Sequence, residues 1–312
     1  MSRGRTKLSV IGAGGVGVSV AYAALIRGSA AEVALYDIAT EKVDAEVLDL
    51  AHGTQFTSSS VSGGSDLSVV DGSDVVIVTA GAKQQPGQTR MELAGTNVRI
   101  LQSLMPGLLE HAPDAVFIIV TNPADVMTVV AQRITGLPAH RVFGSGTVLD
   151  TSRLRWRLAQ RAGVSTASVH ADIVGEHGDS QFPVWSNATI GPVPILDWPS
   201  EQQFTPDELD RIAVDVRDAA YTVIRGKGAT NLAIGVSAAR IAEAVIRDEH
   251  AVLPVSTLLS GEHGIDGVAL SLPSVVSASG AVPVAGMPMT DAEEAKLRAS
   301  AAAIRASLDA LG

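Results

Sequence analysis

The feature that most restricts this chain is a set of glycines at fixed spacing between two apolar runs. Leu8-Ser9-Val10-Ile11 reads as a short strand and leads at once into Gly12-Ala13-Gly14-Gly15-Val16-Gly17. A helical pattern through Val20, Tyr22 and Leu25 follows, ending near Arg27-Gly28, and a second apolar run over residues 33–36 stops at Asp37. Strand, G-x-G-x-x-G, helix, strand and acid, in that order, form the dinucleotide fingerprint in its required setting. Gly12 permits the tight turn and Gly14 lets the backbone approach a pyrophosphate. Gly17 lets the helix pack close to the strand, and the helix N-terminus receives the negative charge. Asp37, 20 residues after Gly17, sits where a carboxylate accepts ribose hydroxyls and repels a 2′-phosphate. The cofactor expected is therefore NAD rather than NADP.

The same stretch imitates something else. Arg3, Arg5 and Lys7 precede 19 uncharged residues, 8–26, the outline of a signal peptide or a membrane span. Four glycines in its first half suit a strand–loop–helix better than a signal core, so no targeting segment and no membrane association are expected. The absence of cysteine excludes disulfides, thiolate nucleophiles and cysteine-based zinc or iron–sulfur sites, and fits a cytoplasmic protein. A net charge of −10 without a long basic run speaks against a nucleic-acid partner. Anionic ligands would then need locally placed arginines and helix N-termini.

Strands and helices alternate through roughly residue 145. Residues 41–52 form a helix on the Val43, Val47, Leu50 face, and the Ser/Gly-rich residues 54–66 read as a loop. Residues 75–79 and 116–120 are near-continuous apolar strands, of the kind found in a parallel sheet covered on both faces. Between them lie a polar, hinge-like segment, 82–90, and a helix that Pro106 is expected to kink or restart. A helix over 126–134 and a short strand over 141–143 complete the pattern. The fold class expected is α/β: an N-terminal Rossmann doubly wound parallel sheet in residues 1–145, then a C-terminal α+β substrate domain in 146–312. In the second half, residues 147–162 read as a helix, 170–174 as a strand and 183–195 as strand and turn. Thr205-Pro206-Asp207-Glu208 is a capping box that starts a long helix, and Gly226-Lys227-Gly228-Ala229-Thr230 interrupts it before 231–246. Residues 250–285 form a strand meander, and a last helix starts at the Thr290…Glu293 box.

The second half also carries the reactive side chains. Gly175-Glu176-His177-Gly178-Asp179 follows an apolar strand end, Ile173-Val174, so His177 falls on a turn flanked by glycines that leave space beside its ring. A histidine at a cleft is a natural proton donor and acceptor near neutrality, although a lone loop histidine is more often structural. Arg153 lies one helical turn after Asp150, so the two share a face. Taken singly, they read as a surface ion pair.

Five motifs settle the grouping. The fingerprint, the segment Ala80-Gly81-Ala82-Lys83-Gln84-Gln85-Pro86-Gly87-Gln88-Thr89-Arg90, Thr121-Asn122-Pro123, Leu149-Asp150-Thr151-Ser152-Arg153, and the His177 turn occur in one order along the chain. Together they closely resemble the L-lactate/malate dehydrogenase family, and within it the bacterial L-lactate dehydrogenases. The resemblance covers essentially the whole chain. It implies that His177 protonates a ketone oxygen while NADH delivers hydride, with Asp150 fixing its tautomer. It implies that Arg153 grips the substrate carboxylate, a task suited to a two-pronged guanidinium, and that Arg90 polarises the carbonyl from the 82–90 loop. Asn122 would hydrogen-bond near carbonyl and cofactor, and Thr230 and Ile234 match positions near substrate and nicotinamide. A helix-start hydroxyl and a plain core residue are the alternative readings of those two. The resemblance further implies pyruvate and L-lactate as substrates, a place in glycolysis and in fermentation of pyruvate to lactate, a homotetramer, and no metal. Arg155 and His170 match positions that contribute to an allosteric fructose 1,6-bisphosphate site in bacterial members, but both also occur in relatives lacking that effector.

One position separates the family's branches. Malate dehydrogenases carry arginine two residues before the loop proline, for a second carboxylate; here that residue is Gln84. Oxaloacetate would bring an unpaired charge into a closed site, which costs about 3–5 kcal/mol, so pyruvate is favoured. Most relatives have glutamate where Gln88 stands, and its absence leaves Lys83 and Arg90 without an acid, so discrimination against oxaloacetate should be weaker than usual. The competing functions are another 2-hydroxy-acid dehydrogenase, for malate or a branched-chain acid, and a catalytically silent NAD-binding protein. The related NAD-dependent glycosidases need a metal cluster for which this chain has no cysteine.

Overall fold

The computed structural model describes residues 6–82, 90–199 and 203–311, the side chains of Arg90 and Met91 excepted. Its frame is a nine-stranded sheet. β1 (Lys7–Ile11), α1 (Gly15–Arg27), β2 (Glu32–Tyr36), α2 (Thr40–His52) and β3 (Ser60–Gly64) build one wing. β4 (Val75–Val78), α3 (Arg90–His111), β5 (Val116–Ile119), α4 (Ala124–Thr135) and β6 (Val142–Gly144) build the other. These six strands lie in the order β3-β2-β1-β4-β5-β6, all parallel. The order reverses between β1 and β4, and the crevice beyond their carboxyl ends is where such sheets bind ligands.

The continuous apolar strands follow from burial on both faces. Val76, Val78, Phe117 and Ile119 point to one side, into a core shared with α3 and α4. Val75, Ile77, Val116 and Ile118 point to the other, onto α1. Each such side chain contributes roughly 1.5–3 kcal/mol by leaving water.

The second half supplies α5 (Val148–Ala162), short strands β7 (Val169–His170), β8 (Ile173–Val174), β9 (Phe182–Pro183), β10 (Thr189–Ile190) and β11 (Val193–Pro194), and helices α6 (Pro206–Lys227) and α7 (Leu232–Ile246). A meander of β12 (Ala251–Ser260), β13 (Asp266–Ser277) and β14 (Gly280–Pro283) precedes α8 (Asp291–Asp309). β12 pairs antiparallel with β6 at Ser256 and Gly144, so the main sheet continues across residue 145. Helix α7 covers one face of that sheet through Ala238, Ile241, Ala242 and Val245. Helix α8 covers the other through Leu297, Ala301, Ile304 and Leu308, and its Thr290–Glu293 capping box forms in full.

Four local expectations change. Residues 54–66 are not a plain loop: β3 is an edge strand in register with β2, Glu32 opposite Ser60 through Tyr36 opposite Gly64. Serine and glycine conceal the strand because its pairing is carried by backbone, and a Cβ on Gly63 would lie 2.4 Å from both the Leu35 carbonyl and Val47. Helix α3 runs through Pro106 as one element rather than restarting there; proline removes one hydrogen bond, while Leu101, Met105 and Leu108 stay fully buried. The run 170–174 divides, β7 pairing with β10 and β8 with β9. At α6 only half the box forms: Thr205 caps Glu208 N–H, but the Glu208 carboxylate turns to Arg161 at 2.6 Å, a charged partner stronger than its own helix start.

Candidate active site

The dinucleotide loop has the shape the fingerprint demands. Gly12 has φ +104°, and a Cβ there would lie 2.9 Å from the Ala80 backbone nitrogen; on Gly17 it would lie 1.8 Å from the Gly12 carbonyl. Around a Cβ on Gly14, the N-cap of α1, no heavy atom of the described residues beyond its chain neighbours lies within 4 Å. That open side lets a phosphate reach the free N–H groups of a helix whose first turn carries no acid. Asp37 is fixed at the end of β2, one oxygen accepting the Ala13 N–H at 2.7 Å and the other the Ala39 N–H at 3.0 Å. Each oxygen keeps a lone pair for a ribose hydroxyl. These residues fit an adenine dinucleotide.

A histidine, an aspartate and an arginine are brought together within the second half of the chain. The residues that follow β8 turn at Gly175, φ +89°, whose N–H and C=O both pair with Ser271 of β13. The Glu176 N–H is held by Ser300 of α8. His177 then presents its ring to Asp150 on the first turn of α5, Nδ1 to Oδ2 at 2.6 Å. The other Asp150 oxygen accepts from Arg153 Nη1 at 2.7 Å. Asp150 is thus shared between the two, with its side chain 2% exposed against 28% for His177 and 17% for Arg153. The two residues that read as a helix-surface contact in sequence form, with His177, a bonded group of three around a buried carboxylate.

Its electrostatics follow from that burial. The Asp150 charge lifts His177 to about 9 from the usual 6.5, with help from the hydrogen bond and the Asp125 charge, and against burial and Arg153. Burial acts to raise Asp150, but the imidazole and the Arg153 guanidinium outweigh it and hold the carboxyl below its ordinary value. Imidazolium, carboxylate and guanidinium therefore coexist at neutral pH, and Nε2 is the ring nitrogen left to exchange a proton.

The other expected residues are placed as follows. Asn122 ends the β5 segment, exposed, with its carbonyl accepting from Asn97 at 2.7 Å. Thr230 and Ile234, both half-buried, flank the start of α7. Their neighbour Asn231 lies 3.9 Å from where a Cβ on Gly15 would be, beside the start of α1. Arg155 is engaged by the Ala171 carbonyl at 2.9 Å and Asp172 at 2.8 Å, next to the exposed His170. Gln84, Lys83 and Gln88 lie outside the described residues, as does the Arg90 side chain. Among the described residues no group of three or more His, Asp or Glu is placed to hold a metal, and no helix is long and apolar enough to cross a membrane.

Two buried residues escaped the sequence reading. Asn97 of α3, 1% exposed, accepts the Ala82 N–H at 2.8 Å and donates to Asn122, tying β4's exit to β5's. Asp125 of α4 accepts the His177 backbone N–H at 2.7 Å. Asp125 follows Asn122-Pro123 by two residues, the one signal available, and it looks there like an acid placed for the helix dipole.

Comparison with known proteins completes the assignment. Residues 6–144 match the lactate/malate dehydrogenase NAD binding domain, and residues 147–311 match the same family's alpha/beta C-terminal domain. The chain belongs to the lactate/malate dehydrogenase family. It is 48% identical over 305 residues to an L-lactate dehydrogenase of Synechococcus sp., covering 98% of this chain and 99% of that protein. It is 47% identical over 304 residues to one of Bifidobacterium animalis subsp. lactis, covering 96% and 95% respectively. Among solved structures, the minor L-lactate dehydrogenase of Enterococcus mundtii superimposes with a TM-score of 0.94 at 37% identity over 98% of both chains. Family membership makes NAD the cofactor of the crevice described above.

Proposed function

We propose that this protein is an NAD-dependent L-lactate dehydrogenase that reversibly reduces pyruvate to L-lactate. The observation that carries the reading is the single carboxylate, Asp150, bonded at once to His177 and Arg153. One group thereby orients both a proton donor and a carboxylate clamp. NADH, held by Gly12, Gly14, Gly17 and Asp37, would supply hydride to the carbonyl carbon. His177 delivers the Nε2 proton to the carbonyl oxygen as the C=O bond becomes C–O–H, and takes it back in the reverse direction. Asp150 keeps Nδ1 protonated and stabilises the imidazolium. Arg153, with one nitrogen on Asp150, has further donors for the substrate carboxylate. Arg90 is assigned to polarising the carbonyl, Asn122 and Thr230 to contacts around it, Ile234 to the nicotinamide side, and Gln84 to selecting a methyl over a second carboxylate.

The chain is taken to divide near residue 145 into a cofactor part and a substrate part, and to work in the cytoplasm as a homotetramer. Exposed apolar side chains support assembly, among them Tyr22 and Ile26 of α1 and Leu232 and Val236 of α7. Arg155 and His170 are assigned to fructose 1,6-bisphosphate, which would have to compete with Asp172 for the guanidinium. The test is steady-state turnover of pyruvate with NADH and with NADPH, each with and without the sugar bisphosphate. NADH-dependent turnover supports the reading; none with either cofactor overturns it. A response to the bisphosphate that Arg155→Gln abolishes supports the effector site, and no response removes it.

A further inference from the structure

His177 is held at two points, and only one of them is its ring. The second is its backbone N–H, which donates to Asp125 Oδ2 at 2.7 Å. Asp125 lies on the first turn of α4, 2% exposed, and its other oxygen accepts the Ser256 hydroxyl of β12 at 2.5 Å. Both partners are far along the chain, so this carboxylate serves neither its own helix start nor solvent. Among the described residues no lysine or arginine forms an ion pair with it. A buried carboxylate without a cation is expensive, and an amide or hydroxyl would have sufficed to hold one N–H. What a carboxylate adds is charge, and the cation it faces is the His177 imidazolium.

We propose that Asp125 is a positioning residue for the proton donor: it fixes the backbone of the 175–179 turn and supplies, beside Asp150, a second negative charge that keeps the imidazole protonated. Ser256 tunes that charge by donating to it. Coupling runs both ways: His177 is among the groups that favour ionised Asp125, while burial, the largest influence, holds its carboxyl at about 6. Below that pH the carboxyl becomes neutral and His177 keeps Asp150 alone. Arg153 of α5 is a further charged group acting on His177, and Glu176, beside His177 on the same turn, acts on Asp125. Asp179, further along the turn, is answered by Tyr221 and Arg217 of α6. β12 and β13 present Ser256 and Ser271, which do not titrate, and the Arg90 side chain lies outside the described residues.

The inference rests on His177 being the proton donor proposed above, and the experiment separates the two. The His177 imidazole of the full-length protein is titrated by NMR without substrate, alongside the pH dependence of kcat/KM for pyruvate. Asp125→Asn retains an acceptor for the His177 N–H and removes the charge. It should move the imidazole midpoint down by about 0.5–2 pH units, the scale expected for removing one neighbouring charge at effective dielectrics of about 20–80. The alkaline limb of kcat/KM should move with it. Ser256→Ala leaves the charge but removes its hydrogen bond, and should move the acidic step in the imidazole titration up by about one unit. Superimposable titrations for Asp125→Asn and the parent overturn the proposal. If Asp125→Asn does not fold, an unmoved acidic step in Ser256→Ala overturns it instead. Absence of pyruvate turnover in the parent contradicts the substrate reading alone, because the NMR titration needs no substrate.

Discussion

Asp150→Asn isolates the electrostatic centre of the site. Asparagine matches aspartate in size, so the replacement fits between His177 and Arg153, but it removes the charge that is the chief cause of the raised His177 pKa. With that charge gone, burial and Arg153 act downward, and the imidazole returns to its usual 6.5 or below from about 9. A change of about 2.5 units corresponds to about 3.4 kcal/mol in proton affinity. At pH 8 the protonated fraction falls from about nine-tenths to about 3%, roughly 30-fold, before any loss from a misoriented ring. Loss of tautomer control adds to this, so kcat/KM for pyruvate at pH 8 should fall by more than ~10²-fold. The assay is NADH oxidation from about pH 6 to about pH 10. The limb that falls with rising pH should move down by two units or more, so the deficit shrinks in acid. Stability should follow the same proton. A raised histidine stabilises the fold fully below 6.5 and loses that contribution as pH rises through 9, so the variant's deficit in Tm should be largest in acid and smallest above pH 9. A loss of equal size at every pH would refute the reasoning and leave Asp150 a purely geometric role.

Other perturbations separate structure from binding in the same molecule. Gly17→Ala drives a Cβ to 1.8 Å from the Gly12 carbonyl and should cost at least about 1–3 kcal/mol, read as a fall in Tm. Gly14→Ala meets no atom of the described residues beyond its chain neighbours within 4 Å, so its Tm should hold while the Kd for NADH rises by tenfold or more, measured by fluorescence titration. Asp37→Ser removes the group that repels a 2′-phosphate, and the ratio of kcat/KM for NADH over NADPH should fall at least ~10-fold. Burial raises the Asp125 pKa to about 6 from the usual 3.8, so its ionised form opposes folding as pH rises through that range. Asp125→Asn should therefore improve in relative Tm between about pH 4 and pH 7, and a constant difference across that span would contradict it.

The cofactor crevice was legible because its pattern is local: Gly12, Gly14, Gly17 and Asp37 lie within one strand–loop–helix–strand unit. His177, Asp150 and Arg153 were legible as types and spacings, but not as a bonded group, since 27 residues separate the ring from its carboxylate. Asp125 and Asn97 were hidden for that reason in stronger form. An acid in a helix's first turn and an asparagine within a helix look ordinary until a loop from elsewhere lands on them. The errors in the fold share a cause. β3 is held by backbone pairing that serine and glycine do not advertise, and Glu208 leaves its capping role for an arginine 47 positions away. In each case a distant partner outweighed a local preference.

The choice of substrate is tested most directly by the ratio of kcat/KM for pyruvate over oxaloacetate, in the parent and in Gln84→Arg. A parent that prefers pyruvate and a variant whose ratio falls by about 10²–10³, as expected for pairing a carboxylate otherwise left buried, would support the assignment. A parent that prefers oxaloacetate with glutamine at position 84, or a ratio unchanged by the arginine, would contradict it.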